Sequence, residues 1–287
     1  MKNLIVTADD FGLSHSVNRA VIQAWQCGIL TGASLMMGGA AASEAIELAR
    51  ANPGLQVGLH LTLLQGRAVM DHPGFPTITD PTGHFNNDPV MTGMRYFFIK
   101  PLRKQLRAEI TGQIEAFLAT GLPLSHIDGH LNIHMHPTVF DILAELMPRY
   151  GIKTFRLSRE RLDVERRLDP RRRLGKAVDA FIFNKLAAEC QPALDRLGIG
   201  YATEVKGLLN SGAMTEGYLL RALDLLQEGT TEIYCHPGCL PDAEQEKWTP
   251  GYLHADELAA LVSQRIRGTL RQRDIRLRNY RGEEKDV

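Results

Sequence analysis

Apolar positions along the chain follow two alternating periods. Short continuous or β-branched runs recur at 3–8 (NLIVTA), 33–37 (ASLMM), 55–61 (LQVGLHL), 124–128 (LSHID), 152–157 (IKTFRL), 199–205 (IGYATEV), 231–236 (TEIYCH) and 274–279 (DIRLRN). Their lengths and flanking turn residues predict eight β-strands. Between them lie stretches with helical spacing. They are 16–28, with a serine cap at Ser16; 41–54, closed by Asn-Pro-Gly; 104–121, with Leu106, Ile110, Phe117 and Leu118 on one stripe; 137–151, opened by proline and closed by glycine; and 176–197, 215–228 and 254–270. Regular β/α alternation over this length predicts an α/β fold, a TIM-like (β/α) barrel forming one domain over 1–287, with a doubly wound open sheet as the alternative. The stretch 64–101 is too long and too rich in Pro, Gly, Asn and Asp for a connector, and reads as a functional loop over the barrel mouth.

Composition changes this picture little. The 287 residues carry formal net charge zero and are 44% apolar, which predicts a folded globular protein with ample core. The apolar stretch in MKNLIVTADD is too short for a signal peptide, and nowhere are there eighteen uninterrupted apolar residues, so the expectation is a cytoplasmic protein that does not span a membrane. Four cysteines, Cys27, Cys190, Cys235 and Cys239, are too sparse for a disulfide framework, and CHPGC (235–239) is too tight for a zinc site.

Catalytic groups in such barrels gather at the C-terminal ends of strands. Asp9 and Asp10 end the first predicted strand, His60 the third, Asp128 to His130 the fourth, Arg156 the fifth and His236 the seventh. Each cluster alone has a plain reading: a turn for Asp-Asp-Phe-Gly, a core histidine for Gly-Leu-His-Leu, a surface cation for Arg156. Their convergence on one rim favours a ligand site. Adjacent carboxylates at a strand end splay apart, so a division of labour fits better than a matched glycosidase pair. One would bind a cation; the other would accept a proton from water. One carboxylate with two imidazoles is the donor set of a catalytic metal site. His126-Ile127-Asp128 with a distant histidine also matches the donor set of non-haem iron oxygenases, but β/α alternation disfavours that class.

TADDFGLS (7–14), GLHLTL (58–63), SHIDGHLNIHMHP (125–137) and CHPG (235–238) together resemble the YdjC-like carbohydrate deacetylases in order and spacing, over nearly the whole chain. GMRYFF (93–98), QLRAEI (105–110) and HPTVFD (136–141) resemble most the hopanoid-biosynthesis-associated branch, HpnK. The resemblance implies a (β/α) barrel that removes acetyl groups from N-acetylated amino sugars with one divalent ion, magnesium or zinc. It implies Asp10, His60 and His130 as metal ligands and Asp9 as the base. By analogy with the wider group of polysaccharide deacetylases, it implies His236 as the acid and Arg156 as the support of Asp9. Where many relatives have further histidines after the ligand, this chain has Leu131 and Asn132. His126 and Asp128 read as lining or bracing the strand end, and His134 and His136 as leading into the next helix, with the roles of all four left open. An imidazole of unperturbed pKa, about 6.5, suits proton donation to a departing amine near neutral pH.

From Arg149 to Lys176 there are eleven Lys/Arg against four Asp/Glu. Aromatic residues accompany cations there and nearby, in AFIF (180–183) and MRYFFIKPLRK (94–104). Such segments suit peripheral contact with an anionic inner-membrane surface, as a glycolipid substrate would require. No recognition motif accompanies the basic run, so nucleic acid is a poor fit.

Overall fold

The computed structural model describes residues 1–73 and 77–286. In chain order the elements are β1 (Lys2–Phe11), α1 (His15–Cys27), β2 (Gly32–Leu35), α2 (Ala42–Ala51), β3 (Gln56–Leu61), α3 (Pro89–Phe98), α4 (Leu102–Ala119) and β4 (Leu124–Gly129). A 3₁₀ turn (His130–Met135) leads into α5 (Pro137–Arg149), followed by α6 (Leu162–Leu168), α7 (Arg173–Leu197), β5 (Glu204–Lys206), α8 (Glu216–Asp224), β6 (Gly229–Cys235), α9 (Ala243–Trp248), α10 (His254–Leu261), α11 (Gln264–Gln272) and β7 (Ile275–Leu277).

The strands form one parallel sheet in the order β4-β3-β2-β1-β6-β5, with β7 paired to the first residues of β1. Alternation along each strand separates two environments. Leu4, Val6 and Ala8 of β1, with Leu59 and Leu61 of β3, join Val17, Ala20 and Val21 of α1 in the apolar core between sheet and helices. The other face is polar: Thr7, Ser34, His60, His126, Asp128 and Glu232 are buried there. That face curls on itself. Arg156, just beyond β4, bonds Glu232 on β6, four strands away along the sheet, at 2.7 Å.

Two expected strands are mostly absent as ladders. Of 152–157, only Thr154 and Phe155 make single bridges, to Gly200 and to Ile127; of 199–205, the strand proper is Glu204–Lys206. The reason is local. The carbonyl of Arg156, which a ladder would need, accepts instead from His134 Nε2 (2.8 Å). Helix ends also moved. The cap of α1 is Ser14, whose side chain accepts from Val17 N, and Ser16 lies inside the first turn. The expected helix 254–270 is two helices, because Ser263 caps a fresh one at Gln264.

The segment 64–101 is only partly a loop, and none of its described residues lines the cavity beside Asp9 and His60. Its last third is α3, opened by Asp88, whose carboxylate accepts from Val90 N and Met91 N, with Pro89 in the first turn. Earlier residues are strapped to α4: buried Glu109 accepts from Val69 N, Met70 N and His72 Nε2 at 2.8–3.1 Å. Residues 74–76 lie outside the described residues.

The basic run is not one surface either. Arg156 and Lys176 are buried, the latter bonded to Glu165 (2.6 Å) and Asp169 (2.9 Å). Beside them Glu160 is buried, with one oxygen accepting from Leu209 N and the other unpartnered. Burial pushes its carboxyl up to about 8, although Lys206 opposes the shift. A carboxyl raised on folding holds a proton that the unfolded chain has lost, so its contribution is present below pH 4.5 and is lost as pH rises towards 8. Glu160→Gln is neutral at every pH. It should melt like the parent at pH 5 and higher at pH 8.5, by roughly 1 kcal/mol or a few degrees. Equal melting temperatures at both pH values would mean that Glu160 is not a protonated group in the fold.

Candidate metal centre and active site

Consecutive residues of a regular strand point to opposite faces, yet Asp9 and Asp10 both reach the polar interior. The backbone explains how. Between the β1–β2 pairs Ala8↔Ala33 and Phe11↔Leu35 the register shifts by one residue, and Asp10 adopts φ 61°, the left-handed region that a non-glycine residue rarely takes. This bulge turns two neighbouring carboxylates into one site in different directions. Gly12, at φ 94°, completes the bend where a Cβ would lie 3.1 Å from the Met36 carbonyl.

Asp9 faces Arg156. Its two oxygens accept from Nη1 and Nη2 at 2.7 and 2.8 Å. The same guanidinium meets Asp128 (2.8 Å) and Glu232 (2.7 Å) and lies over the Tyr234 ring at 4.5 Å. One buried cation is thus shared by three buried carboxylates. Each is held in place, but none has the cation to itself.

Asp10 faces the imidazoles. Its Oδ1 is 3.0 Å from His130 Nδ1 and 3.4 Å from His60 Nε2, while His60 Nδ1 donates to Asp128 (2.8 Å). Asp10, His60 and His130 each offer a ligand atom within 4.8 Å of the others, so this buried group could hold a metal ion. Asp9, His60 and Asp128 satisfy the same distance test. Hydrogen bonding separates the two sets. The oxygens of Asp9 and Asp128 are all engaged, whereas Asp10 Oδ2 and His130 Nε2 are buried without a partner. Orphaned acceptor atoms of this kind fit a cation. The charges agree: burial would raise Asp10, but His130 and His60 hold it well below the usual carboxylate range. Burial would lower His60, but Asp128 and Asp9 hold it up to about 10. A proton on His60 and a cation beside it would serve the same electrostatic need.

The histidines of SHIDGHLNIHMHP are now distinct. His126 has both ring nitrogens against serine hydroxyls, Ser125 (2.8 Å) and Ser34 (3.0 Å), and stacks on Tyr280 at 3.8 Å. Gly58 makes room for it, since a Cβ there would meet the ring at 2.4 Å. The oxygenase-like set through His126 and Asp128 is therefore not assembled. His134 fixes the Arg156 carbonyl, and His136 Nε2 donates to Gly93 O (3.0 Å). Of the four, His130 alone turns to Asp10.

His236 follows β6 and faces a cavity of about 190 Å³ that Asp9, His60, His130 and Asn132 also line. The far wall comes from Asp179 and Phe183 of α7 and from Ser211 and Tyr252. Glu257 of α10 anchors His236 by accepting from its backbone N–H. Burial pushes the His236 imidazole down to about 4, with Asp10 and Asp9 pulling the other way, so it rests neutral at pH 7. An unperturbed histidine was the expectation; exclusion of water accounts for the difference.

Sequence reading did not single out Glu232, Ser34 or Tyr280, and it left the role of Asp128 open. A period-two signal was present, because Glu232 and Tyr234 share one face of β6 and His236, just past its end, continues the alternation.

The profile of the YdjC-like proteins matches residues 3–272. A carbohydrate deacetylase of Geobacillus stearothermophilus is 29% identical over 279 residues, 96% of each chain. Another, of Thermoanaerobacter pseudethanolicus, is 30% identical over 244 residues, covering 84% of this chain and 83% of that one. A crystal structure from Enterococcus faecalis, of a protein named for cellobiose-phosphate cleavage, superposes with TM-score 0.75 at 24% identity over 98% of both chains, and so shares the fold.

Proposed function

Since the chain belongs to the YdjC-like family, we propose that it is a metal-dependent hydrolase that removes the acetyl group from an N-acetylated amino sugar, releasing acetate and a free amine. The observation that carries this reading is the buried Asp10, His60 and His130 group with its two orphaned atoms, opening beside Asp9 on a cavity. The names of the carbohydrate deacetylase relatives support the substrate class. The curled sheet is read as an irregular (β/α) barrel, its ring continued past β4 by the bridged segments near Thr154 and Gly200.

Asp10, His60 and His130 would hold the ion, which when bound supplies Lewis acidity to water and to the amide carbonyl. Asp9 accepts the proton of the attacking water, and Arg156 aims it through bonds to both carboxylate oxygens. His236, which lines the same cavity, rests neutral, so it receives the proton that Asp9 took from water and passes it to the departing nitrogen as the C–N bond breaks, leaving both residues as they began. The donor set, rich in imidazole, favours zinc or another transition ion over magnesium.

A cavity of about 190 Å³ is below the roughly 300 Å³ at which pockets for drug-sized ligands begin. It suits one sugar unit better than an oligosaccharide. With the hopanoid-branch motifs, this favours a lipid-linked N-acetylglucosamine over chitooligosaccharide. Metal analysis with acetate release on both substrates tests the reading: release from neither, in protein carrying one ion per chain, would overturn it. His130→Ala should weaken ion binding at least about 100-fold, read by equilibrium dialysis. Full occupancy in that variant would move the centre to Asp9, His60 and Asp128.

A further inference from the structure

Large apolar side chains more than a third exposed are not scattered. Of fifteen among the described residues, five are on α3 (Val90, Met91, Met94, Phe97, Phe98) and four on α7 (Leu174, Val178, Phe181, Ile182). Each set follows helical spacing and forms one stripe. Both helices are anchored by their opposite faces. On α3 the buried Tyr96 donates to Leu63 O (2.6 Å); on α7 Lys176 and Ala180 are buried. Unlike an ordinary amphipathic helix, each therefore displays apolar residues on its outer side.

The two helices meet the same short piece of chain. Residues of α7 pack on the 3₁₀ turn that carries His130, and α3 is tied to the residues just after it, through His136 to Gly93 O and Thr138 to Tyr96 O. Leu131, also exposed, lines the cavity together with Asp179 and Phe183 of α7. The apolar stripes thus border the site. Cations flank them: Arg172 and Arg173 open α7, Lys185 follows Ile182, and Lys100 and Lys104 follow α3, all exposed. The acids nearest the stripes are Asp179 of α7, which turns to the cavity, Asp88, which caps α3, and Asp169, which is paired to Arg171 and Lys176.

We propose that the exposed faces of α3 and α7 form one docking surface for an anionic lipid bilayer, holding the cavity mouth at the membrane interface. Aromatic and aliphatic side chains rimmed by Lys and Arg match the acyl boundary and the anionic headgroups. A second copy of the chain is the poorer fit, because lysine is depleted from protein interfaces and a self-paired face would set these cations against each other. The inference deepens the lipid-linked reading above, on which the choice of a bilayer rests in part. Vesicle binding needs no substrate, so it can fail while deacetylation stands.

The test is co-sedimentation of the full, metal-loaded chain with phosphatidylcholine vesicles, with and without about 30% phosphatidylglycerol. At least about tenfold more protein should sediment with the anionic vesicles, and high salt should reverse most of the difference. The triple variant Phe97→Ser, Phe98→Ser, Phe181→Ser should lose at least about tenfold in binding. Its melting temperature and its acetate release from a soluble substrate should be unchanged. Absence of anionic preference, or undiminished binding by the variant, would overturn the proposal. So would a dimer in lipid-free buffer that the triple variant dissolves.

Discussion

Asp9→Asn is expected to lower turnover by about 10²- to 10⁴-fold while the protein still carries one divalent ion per chain. The amide keeps the shape and can still accept one hydrogen bond from Arg156, but it cannot take a proton from water. Because both Asp9 oxygens are bound to Arg156 rather than to Asp10, His60 or His130, the proposed ligand set should survive the change. Acetate release measured beside metal content separates base from ligand. Near-normal turnover would remove Asp9 from the chemistry; loss of the ion together with turnover would make it a ligand instead.

Arg156→Met should be the most destabilising single change at the site. It leaves Asp9, Asp128 and Glu232 buried without their common cation. Stranding buried charges in this way costs about 3–5 kcal/mol, a fall in melting temperature on the order of 10 °C for a chain of this size. The pH dependence has a definite sign. Burial alone would raise the Asp128 carboxyl, and Arg156 comes first among the groups that hold it well below the usual carboxylate range, so the variant is penalised more as pH rises. Thermal unfolding at pH 5 and pH 8 should show the larger deficit at pH 8. A melting temperature within about 2 °C of the parent at both would mean that the three carboxylates do not depend on Arg156.

Much of the sheet was legible because buried parallel strands leave continuous apolar runs, as in NLIVTA, followed at the rim by Asp9, and LQVGLHL, with His60 next to its end. What period alone cannot give is how a strand ends. The bulge at 8–11 and the left-handed Asp10 depend on pairing with β2, so the splay of Asp9 and Asp10 could be expected but not its geometry. IKTFRL has strand composition, but His134 takes the carbonyl that its ladder would need. Conversely, Asp88-Pro89 is a local helix start, masked by the Gly, Pro and Asn around it. Glu232 was missed because a lone acid in a β-branched run carries no motif; its partner lies 76 residues away.

The Arg156 segment does two jobs with the same atoms. Its backbone N–H bonds Ile127 O, its carbonyl bonds His134, and its guanidinium gathers Asp9, the proposed base, with two other carboxylates. The weakest part of the sheet is therefore seamed by the same residue that holds Asp9 in place. A lineage that changed how Asp9 is held by replacing this arginine would also have loosened the seam, and would have needed compensating substitutions before or with the change. Diversification of such an enzyme is freer at the outer wall of the cavity, where Asp179, Phe183 and Tyr252 line the space without bonds to the charged cluster.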